Sequence, residues 1–348
     1  MTEKAPASSV QHLGFAWFAM VMGLCGLALA WARAVPHWGS VALQVSLGVG
    51  VLAAGVLTLL LLGQLWRLLR YPAALLADAR HPLRHVFVAA LPSSLVLLPT
   101  VWVAHQGYSL WADVMWMLGA ASLLLATLGV VGRWLQPGLA AQDFWPGITP
   151  ALFIPVVGNV LPALAGVSLG HPVWAAAQYG LAAVLWPVAL ALVWVRIGMV
   201  GLWPQRLLPT TFIMIAPPSV LALSGHALSG HALGASDLLV HTLAGVALFF
   251  TLLSFTVLKR CLQQPFGMPF WALSFPLAAS AALGLLLSPE PGLAQWLASL
   301  WLGVVTGVIG ALLLATLRGL MQGQLLQPEG PAPLPKVVSD QAQSAARA

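Results

Sequence analysis

Ten long apolar stretches, separated by short connections, are the feature of this sequence that most restricts its fold. A helix needs about 20 consecutive apolar residues to cross the hydrocarbon core of a bilayer. Acidic and basic side chains are nearly absent inside these stretches, and charged residues make up only 6% of the chain, against about 25% in soluble proteins. The sequence therefore predicts an all-α integral membrane protein with ten transmembrane helices. The predicted spans are 13–33, 40–66, 85–105, 111–133, 148–169, 173–195, 208–228, 237–258, 268–288 and 293–317.

The first span has to be distinguished from a secretory signal. Lys4 precedes it, and Ala32–Ala34 resembles a small-residue cleavage site. The apolar core of a signal peptide has about 7–15 residues, and this run is longer. We therefore interpret residues 13–33 as a membrane helix.

The basic residues predict the orientation of these spans. With ten spans, both termini and the even-numbered connections lie on one side of the membrane. That side carries thirteen of the fourteen lysines and arginines, and only Arg33 lies on the other. Because cytoplasmic loops are enriched in basic residues, both termini are predicted to be cytoplasmic. We expect the membrane to be a bacterial-type inner membrane. The thirteen are Lys4, Arg67, Arg70, Arg80, Arg84, Arg133, Arg196, Arg206, Lys259, Arg260, Arg318, Lys336 and Arg347.

Prolines are concentrated in the odd-numbered spans and are rare in the even-numbered ones. Only Pro172 and Pro187 fall in even spans. An interior proline removes a backbone donor and kinks the helix, and the freed carbonyls are tolerated where protein or a water-filled cavity satisfies them. Prolines are also frequent in membrane helices generally, but the skew favours two layers, with kinked odd helices inside and straight even helices outside. The odd-span prolines are Pro92, Pro99, Pro150, Pro155, Pro162, Pro209, Pro217, Pro218, Pro269 and Pro276.

The sequence lacks the motifs that several classes of function require. It has no phosphate-binding glycine loop, no nucleophilic serine elbow, no paired carboxylates and no histidine or cysteine cluster at metal-ligand spacing. The sequence predicts neither an enzyme nor a cofactor or metal protein, and its basic residues are assigned to topology rather than to nucleic-acid binding. Without carboxylates buried in the spans, a cation path is also disfavoured. Anions or neutral solutes remain as the species that the protein could transport.

Five stretches of the sequence resemble one known family. They stand at the starts of the odd spans, in order: "GFAWFAMVMGLCGLALAWARA", "HPLRHVFVAALPSSLVLLP", "TPALFIPVVGNVLPAL", "LPTTFIMIAPPSVLAL" and "FWALSFPLAAS". The chain is similar, over 13–317, to the tellurite-resistance/dicarboxylate transporter family, which includes the plant guard-cell slow anion channel. The tails, 1–12 and 318–348, fall outside this region and are predicted to be short cytoplasmic segments, the second without regular structure.

The resemblance implies an architecture and a gate. Members of the family are homotrimers, and each subunit places five helical hairpins in a quasi-five-fold arrangement around a pore lined by kinked inner helices. A phenylalanine on the ninth helix closes that pore. Phe275 aligns with this gate, Pro276 with the neighbouring kink, and Ser274 with the constriction. Without the resemblance, Phe275 reads as a packing or lipid-facing aromatic.

Other polar or kinked positions in the odd spans are weaker candidates for the pore wall. Asn159 is an amide among apolar neighbours, which is costly unless paired or hydrated. An interhelical hydrogen bond would explain this amide as well as a pore would. The remaining candidates are Pro92, Ser93, Ser94, Pro217 and Ser219.

Two functions remain open at this point. One is passive transport of small inorganic anions through a channel gated by Phe275. The other, which the family name implies, is a secondary carrier that exports an oxyanion (tellurite or sulfite) or a C4-dicarboxylate. A dicarboxylate site ordinarily needs an arginine or lysine in the membrane, and none lies deep in these spans. The sequence therefore favours the channel.

Overall fold

A computed structural model describes residues 9–135, 144–229 and 235–327 of the chain. Every regular element in these ranges is helical. Most of both predicted tails, with Lys4, Lys336 and Arg347, lies outside the described residues. The first ten residues of the predicted C-terminal tail are described, because the last helix continues to Met321 and an ordered stretch follows as far as Gln327.

The described residues contain nine helices that are long and apolar enough to cross a membrane, and one shorter apolar helix, Pro150–Leu164. Together they correspond to the ten predicted spans, and we number them as segments 1 to 10. The odd segments are Phe15–Phe18 with Ala19–Arg33, His85–Ala89 with Ala90–Gln106, Pro150–Leu152 with Phe153–Val157 and Gly158–Leu164, Gln205–Ile215 with Ala216–Leu228, and Met268–Leu273 with Ser274–Leu286. The even segments are Val35–Arg70, Leu110–Gly132, Pro172–Val200, Ala235–Leu262 and Leu293–Met321. Shorter helices are Val10–His12, Pro72–Arg80, Arg133–Leu135 and Trp145–Gly147.

Each odd segment begins as a 3₁₀ helix and then becomes an α-helix. In four of them a proline lies one or two residues after the α-helix begins: Pro92, Pro155, Pro217 and Pro276. A proline has no N–H to bond the carbonyl four residues earlier, so the preceding turn is free to tighten into the three-residue pattern. The prolines thus set where each inner segment changes its winding. Segment 1 changes in the same way without a proline.

Segment 5 is shorter in residues than the predicted span 148–169, because it carries prolines at three points. Most of it is 3₁₀ helix, which rises about 2.0 Å per residue instead of about 1.5 Å. Pro150–Leu164 therefore extends about 27 Å, close to the ~30 Å thickness of a bilayer core. A count based on α-helical length alone misses this segment.

Segment 2 contains a break close to its predicted beginning. Gly39 has φ 53° and ψ −133° inside the continuous helix Val35–Arg70. The left-handed region suits glycine because it has no Cβ. The break lies one residue before the predicted span 40–66 begins.

Burial divides the segments into two layers. In the most apolar 18-residue window, 61–94% of the residues of segments 1, 3, 7 and 9 are buried, against 22–33% in the even segments. Residues 150–163 of segment 5 are all buried. The even segments expose apolar side chains such as Val51, Leu118, Val184 and Leu300, as a lipid-facing surface requires. The two-layer prediction agrees with this pattern.

The inner segments contact one another in sequence. Segment 1 contacts segment 3, segment 3 contacts segment 5, segment 5 contacts segment 7, segment 7 contacts segment 9, and segment 9 returns to segment 1. Each of them also contacts the even segment that follows it in the chain. The close return contact between segments 9 and 1 is made by small residues, because a Cβ added to Gly23 would lie 2.5 Å from the Ser274 Cβ.

Candidate functional site

A cavity of about 470 Å³ lies among the inner segments. All five odd segments contribute to its wall, with Met22, Phe87, Leu161, Val220 and Phe275 as one representative of each. Most of the lining is apolar. The polar lining residues belong to the end where the segments begin, and they include Asp78, His81, Arg84, Thr149 and Arg206.

Phe275 lies on the cavity wall and is half-buried, whereas Ser274 and Pro276 beside it are buried. Its ring packs against segment 1, where a Cβ added to Gly26 would be 3.0 Å from the Phe275 Cδ2 atom. Glycine at this position therefore makes room for the ring. Together with Met22, Leu161 and Val220, the ring forms the apolar part of the lining that lies furthest along the segments from the charged end.

The start of the α-helix in segment 9 fixes the Phe275 backbone. Ser274 donates its hydroxyl to the Trp271 carbonyl at 2.7 Å, and the Trp271 indole donates to Thr316 of segment 10 at 2.9 Å. Pro276 is the third residue of Ser274–Leu286, so its missing N–H falls at the junction with the preceding 3₁₀ helix and interrupts no bond inside the α-helix itself. The proline is therefore tolerated directly beside the ring.

Three of the candidate pore residues, Phe275, Pro276 and Pro217, line this cavity together. The other six are not among its lining residues, and all of them are buried. They are Ser274, Pro92, Ser93, Ser94, Asn159 and Ser219.

The serine hydroxyls among these candidates bond to the backbone. Ser93 donates to the Ala89 carbonyl at 2.8 Å and Ser219 to the Ile215 carbonyl at 2.8 Å. Ser94 donates to the Ala90 carbonyl at 2.8 Å and is 3.3 Å from the Phe18 carbonyl of segment 1. Bonds to the preceding turn satisfy a hydroxyl inside an apolar helix. Ser93 and Ser219 therefore bond within their own segments and only Ser94 also reaches segment 1, and none of the three is among the residues that line the cavity.

Asn159 bonds across segments, as the packing alternative requires. Its side-chain amide donates to the Thr127 hydroxyl of segment 4 at 2.6 Å and to the Pro155 carbonyl at 3.0 Å. Thr127 in turn donates to the Pro155 carbonyl at 2.6 Å. The pair therefore satisfies a carbonyl close to the proline kink, while the Asn159 Oδ1 atom is buried without a partner among the described residues.

The charged end of the cavity was not recognised as a site in the sequence. In the sequence, Arg84 and Arg206 indicate topology and form part of a basic cytoplasmic rim that would concentrate anions, and Asp78 stands outside the spans. The ordered stretch after segment 10 also reaches this end, because Gln324, Leu325 and Gln327 line the cavity. Its backbone accepts a hydrogen bond from the Ser9 N–H at the Leu326 carbonyl, 3.0 Å away. No sequence pattern predicts these contacts.

The part of the chain that the structure describes contains no group of three or more His, Cys, Asp or Glu residues placed to hold a metal ion.

Comparison with known proteins places these features in a family context. The family described as voltage-dependent anion channel (SLAC1) matches residues 12–317. An uncharacterised transporter of Methanocaldococcus jannaschii is 25% identical, and the alignment covers 76% of this chain and 81% of that protein. A tellurite resistance protein TehA homolog of Haemophilus influenzae is 26% identical over 76% of this chain and 78% of its own length.

A plant protein is also similar to the chain. The S-type anion channel SLAH3 of Arabidopsis thaliana is 23% identical, with 86% of this chain and 47% of the plant protein aligned. The family match covers residues 12–317 and confirms the resemblance drawn from the five stretches at the starts of the odd spans. The chain is an integral membrane protein and belongs to the voltage-dependent anion channel family.

Proposed function

We propose that this protein transports small inorganic anions passively through the cavity, and that the Phe275 ring gates it. The observation that carries the proposal is the cavity itself, which is walled by all five inner segments and has Phe275 in its lining. A ring in an apolar neck excludes water, and constrictions of this kind gate by dewetting. Family membership and the anion-channel relative from Arabidopsis support the choice of anions.

The distribution of charge along the cavity supports anions over cations. Arg84 and Arg206 lie at its polar end, on the predicted cytoplasmic face to which thirteen of the fourteen lysines and arginines are assigned. A positive rim raises the local concentration of anions. Asp78 is the carboxylate at this end, and it is paired with two arginines.

The architecture proposed for the whole molecule follows from the family. The ring of contacts among the odd segments supports five hairpins in a quasi-five-fold arrangement around a pore. We further propose a homotrimer in a bacterial-type inner membrane with both termini cytoplasmic, and the apolar exposed faces of the even segments provide surfaces for lipid and neighbouring subunits.

A carrier for an oxyanion such as tellurite or sulfite, or for a C4-dicarboxylate, is the second candidate. The tellurite-resistance name of the Haemophilus relative favours it, and a cavity of about 470 Å³ would admit such solutes. However, the cavity places its arginines only at one end, and Met22, Leu161 and Val220 surround the position near Phe275. A dianion there would lose its hydration without a cation to offset its charge.

Ion selectivity distinguishes the anion channel from the carrier, and the first prediction concerns it. With the Phe275→Ala protein in a planar bilayer, we expect the reversal potential under a chloride or nitrate gradient to follow the anion. We expect malate to carry much less current, because a dianion has no cation near the neck. A reversal potential that follows potassium contradicts anion transport. Obligatory exchange without net current favours the carrier.

The second prediction concerns orientation. A cysteine introduced as Ala73→Cys, in the exposed connection between segments 2 and 3, is expected to react with a membrane-impermeant maleimide only from the cytoplasmic side. Ala232→Cys, in the connection between segments 7 and 8, is expected to react only from outside. The native Cys25 and Cys261 are buried and give a low background. Labelling of both positions from one side contradicts the proposed topology.

A further inference from the structure

Three charged side chains form a network beside the cavity. Asp78, on the short helix Pro72–Arg80 between segments 2 and 3, bonds Arg67 and Arg84 with its two carboxylate oxygens. The Arg67 Nη2–Asp78 Oδ2 distance is 2.6 Å and the Arg84 Nη1–Asp78 Oδ1 distance is 2.9 Å. The Arg67 and Asp78 side chains are each 3% exposed, and that of Arg84 is 39% exposed. The group therefore holds two positive charges and one negative charge.

Two donors of this network have no partner in the described part of the chain. They are the Arg67 Nη1 and Arg84 Nε groups, both buried. The rest of the Arg67 guanidinium is fixed, since its Nε donates to the Gln11 carbonyl at 2.9 Å. A buried guanidinium edge without an acceptor is costly, and arginine edges are well suited to bind anions.

The network also borders open space. Arg67, Asp78 and Arg84 line a second cavity of about 240 Å³, together with Met268 and Leu325. Asp78 and Arg84 line the main cavity as well. An ion in the smaller cavity would therefore lie next to the path that leads to Phe275.

We propose that Arg67 and Arg84 form a binding site for a small monovalent inorganic anion at the charged end of the main cavity. The proposal rests on the proposed function and deepens it. The anion accepts hydrogen bonds from the guanidinium edges that Asp78 leaves free. The Asp78 carboxylate keeps the net charge at one, so that the anion is attracted but can leave, as conduction through successive sites requires.

The site can be tested by binding, independently of transport. The purified protein is unfolded thermally in detergent with sodium chloride or sodium nitrate, and with sodium gluconate at the same ionic strength. A ligand that binds only the folded state raises the unfolding midpoint in a saturable manner. We expect chloride and nitrate, but not gluconate, to do so. Identical curves in all three salts overturn the site.

Variants show whether the arginine network is responsible. Arg84→Gln is expected to weaken the apparent chloride affinity about tenfold or more, because a charge-assisted hydrogen bond is lost. Arg70→Gln removes the same charge at a residue that lines neither cavity, and its chloride response should remain that of the wild type. Equal responses of Arg84→Gln and Arg70→Gln overturn the assignment.

Asp78→Asn tests the sign of the carboxylate's effect. It raises the charge of the network by one, so we expect chloride to bind about tenfold more tightly. A purely structural role for Asp78 predicts lower stability without tighter binding, and that result overturns its proposed role in limiting affinity.

The outcomes separate the site from the proposed function. Chloride-dependent stabilisation without anion current through the Phe275→Ala protein leaves the site standing and removes the channel. Anion current without chloride-dependent stabilisation supports the channel and overturns the binding site.

Discussion

Replacing Phe275 with alanine is expected to raise chloride flux severalfold or more. The ring lies on the cavity wall beside Gly26 of segment 1, and in the proposed gate it narrows the path where the lining is apolar and an anion would shed its hydration shell. Removing that shell costs several kcal/mol or more. The alanine variant widens the neck and admits water, while Pro276 and the Ser274–Trp271 hydrogen bond preserve the start of the helix. Flux is measured in proteoliposomes, or as current in planar bilayers.

Two other phenylalanines provide matched controls for this result. Phe266 and Phe270 also line the cavity, near the beginning of segment 9, with ring centroids 5.7 Å apart. Their replacement by alanine removes the same volume near the polar end of the cavity, away from the proposed gate, so we expect little change in flux. If Phe275→Ala folds normally and conducts no better than the wild type, the ring is a packing residue and the gate lies elsewhere.

The hydropathy pattern predicts the membrane segments well because the bilayer sets their length and composition. The prolines add the distinction between inner and outer segments, which the burial of the odd segments bears out. Hydropathy also predicts segment 5, as the span 148–169, but it does not predict the shorter and mostly 3₁₀ form Pro150–Leu164. Its span cannot be judged from residue number alone, because proline-rich 3₁₀ helix rises further per residue than α-helix.

The polar residues of the site were harder to predict. Hydroxyls on inner helices attract attention as pore-lining groups, yet Ser93 and Ser219 bond to their own preceding turns and Asn159 bonds to Thr127. Conversely, Asp78 became significant only through its contacts with Arg67 and Arg84. Hydropathy indicates whether a residue lies in an apolar or a polar environment. The contacts that a residue in a connecting loop makes depend on packing, which no local sequence pattern encodes.

The resemblance, and not residue chemistry, identifies Phe275 as the candidate gate. A phenylalanine is equally suited to lipid, to a core and to a pore neck, and the neighbouring sequence does not distinguish these environments. Its placement depends on the close approach of segments 1 and 9, which Gly23 and Gly26 permit. The glycines are therefore part of what positions the proposed gate.

Because segments 1 and 9 lie so close together, we predict a second large effect, a loss of stability when Gly23 is replaced by alanine. The added Cβ would lie 2.1 Å from the Ser274 Oγ and 2.5 Å from the Ser274 Cβ, so segment 9 has to move away from segment 1. Overpacking of this kind typically costs about 1–3 kcal/mol. We expect a clearly lower unfolding midpoint in detergent. Gly55→Ala, where the new methyl meets no atom within 4 Å, should leave the midpoint unchanged or raise it slightly, because alanine favours helix.

A second substitution tests whether the Gly23 effect arises at this contact. Ser274→Gly removes the opposing side chain, and alone it should destabilise by about 0.5–1 kcal/mol because glycine weakens a helix. Combined with Gly23→Ala, it exchanges the small and larger residues across the interface and should recover much of the lost stability. In the double-mutant cycle the two changes then couple favourably, as contacting residues do. Strictly additive losses would show that segments 1 and 9 do not meet at this pair, and that Phe275 is not positioned by it.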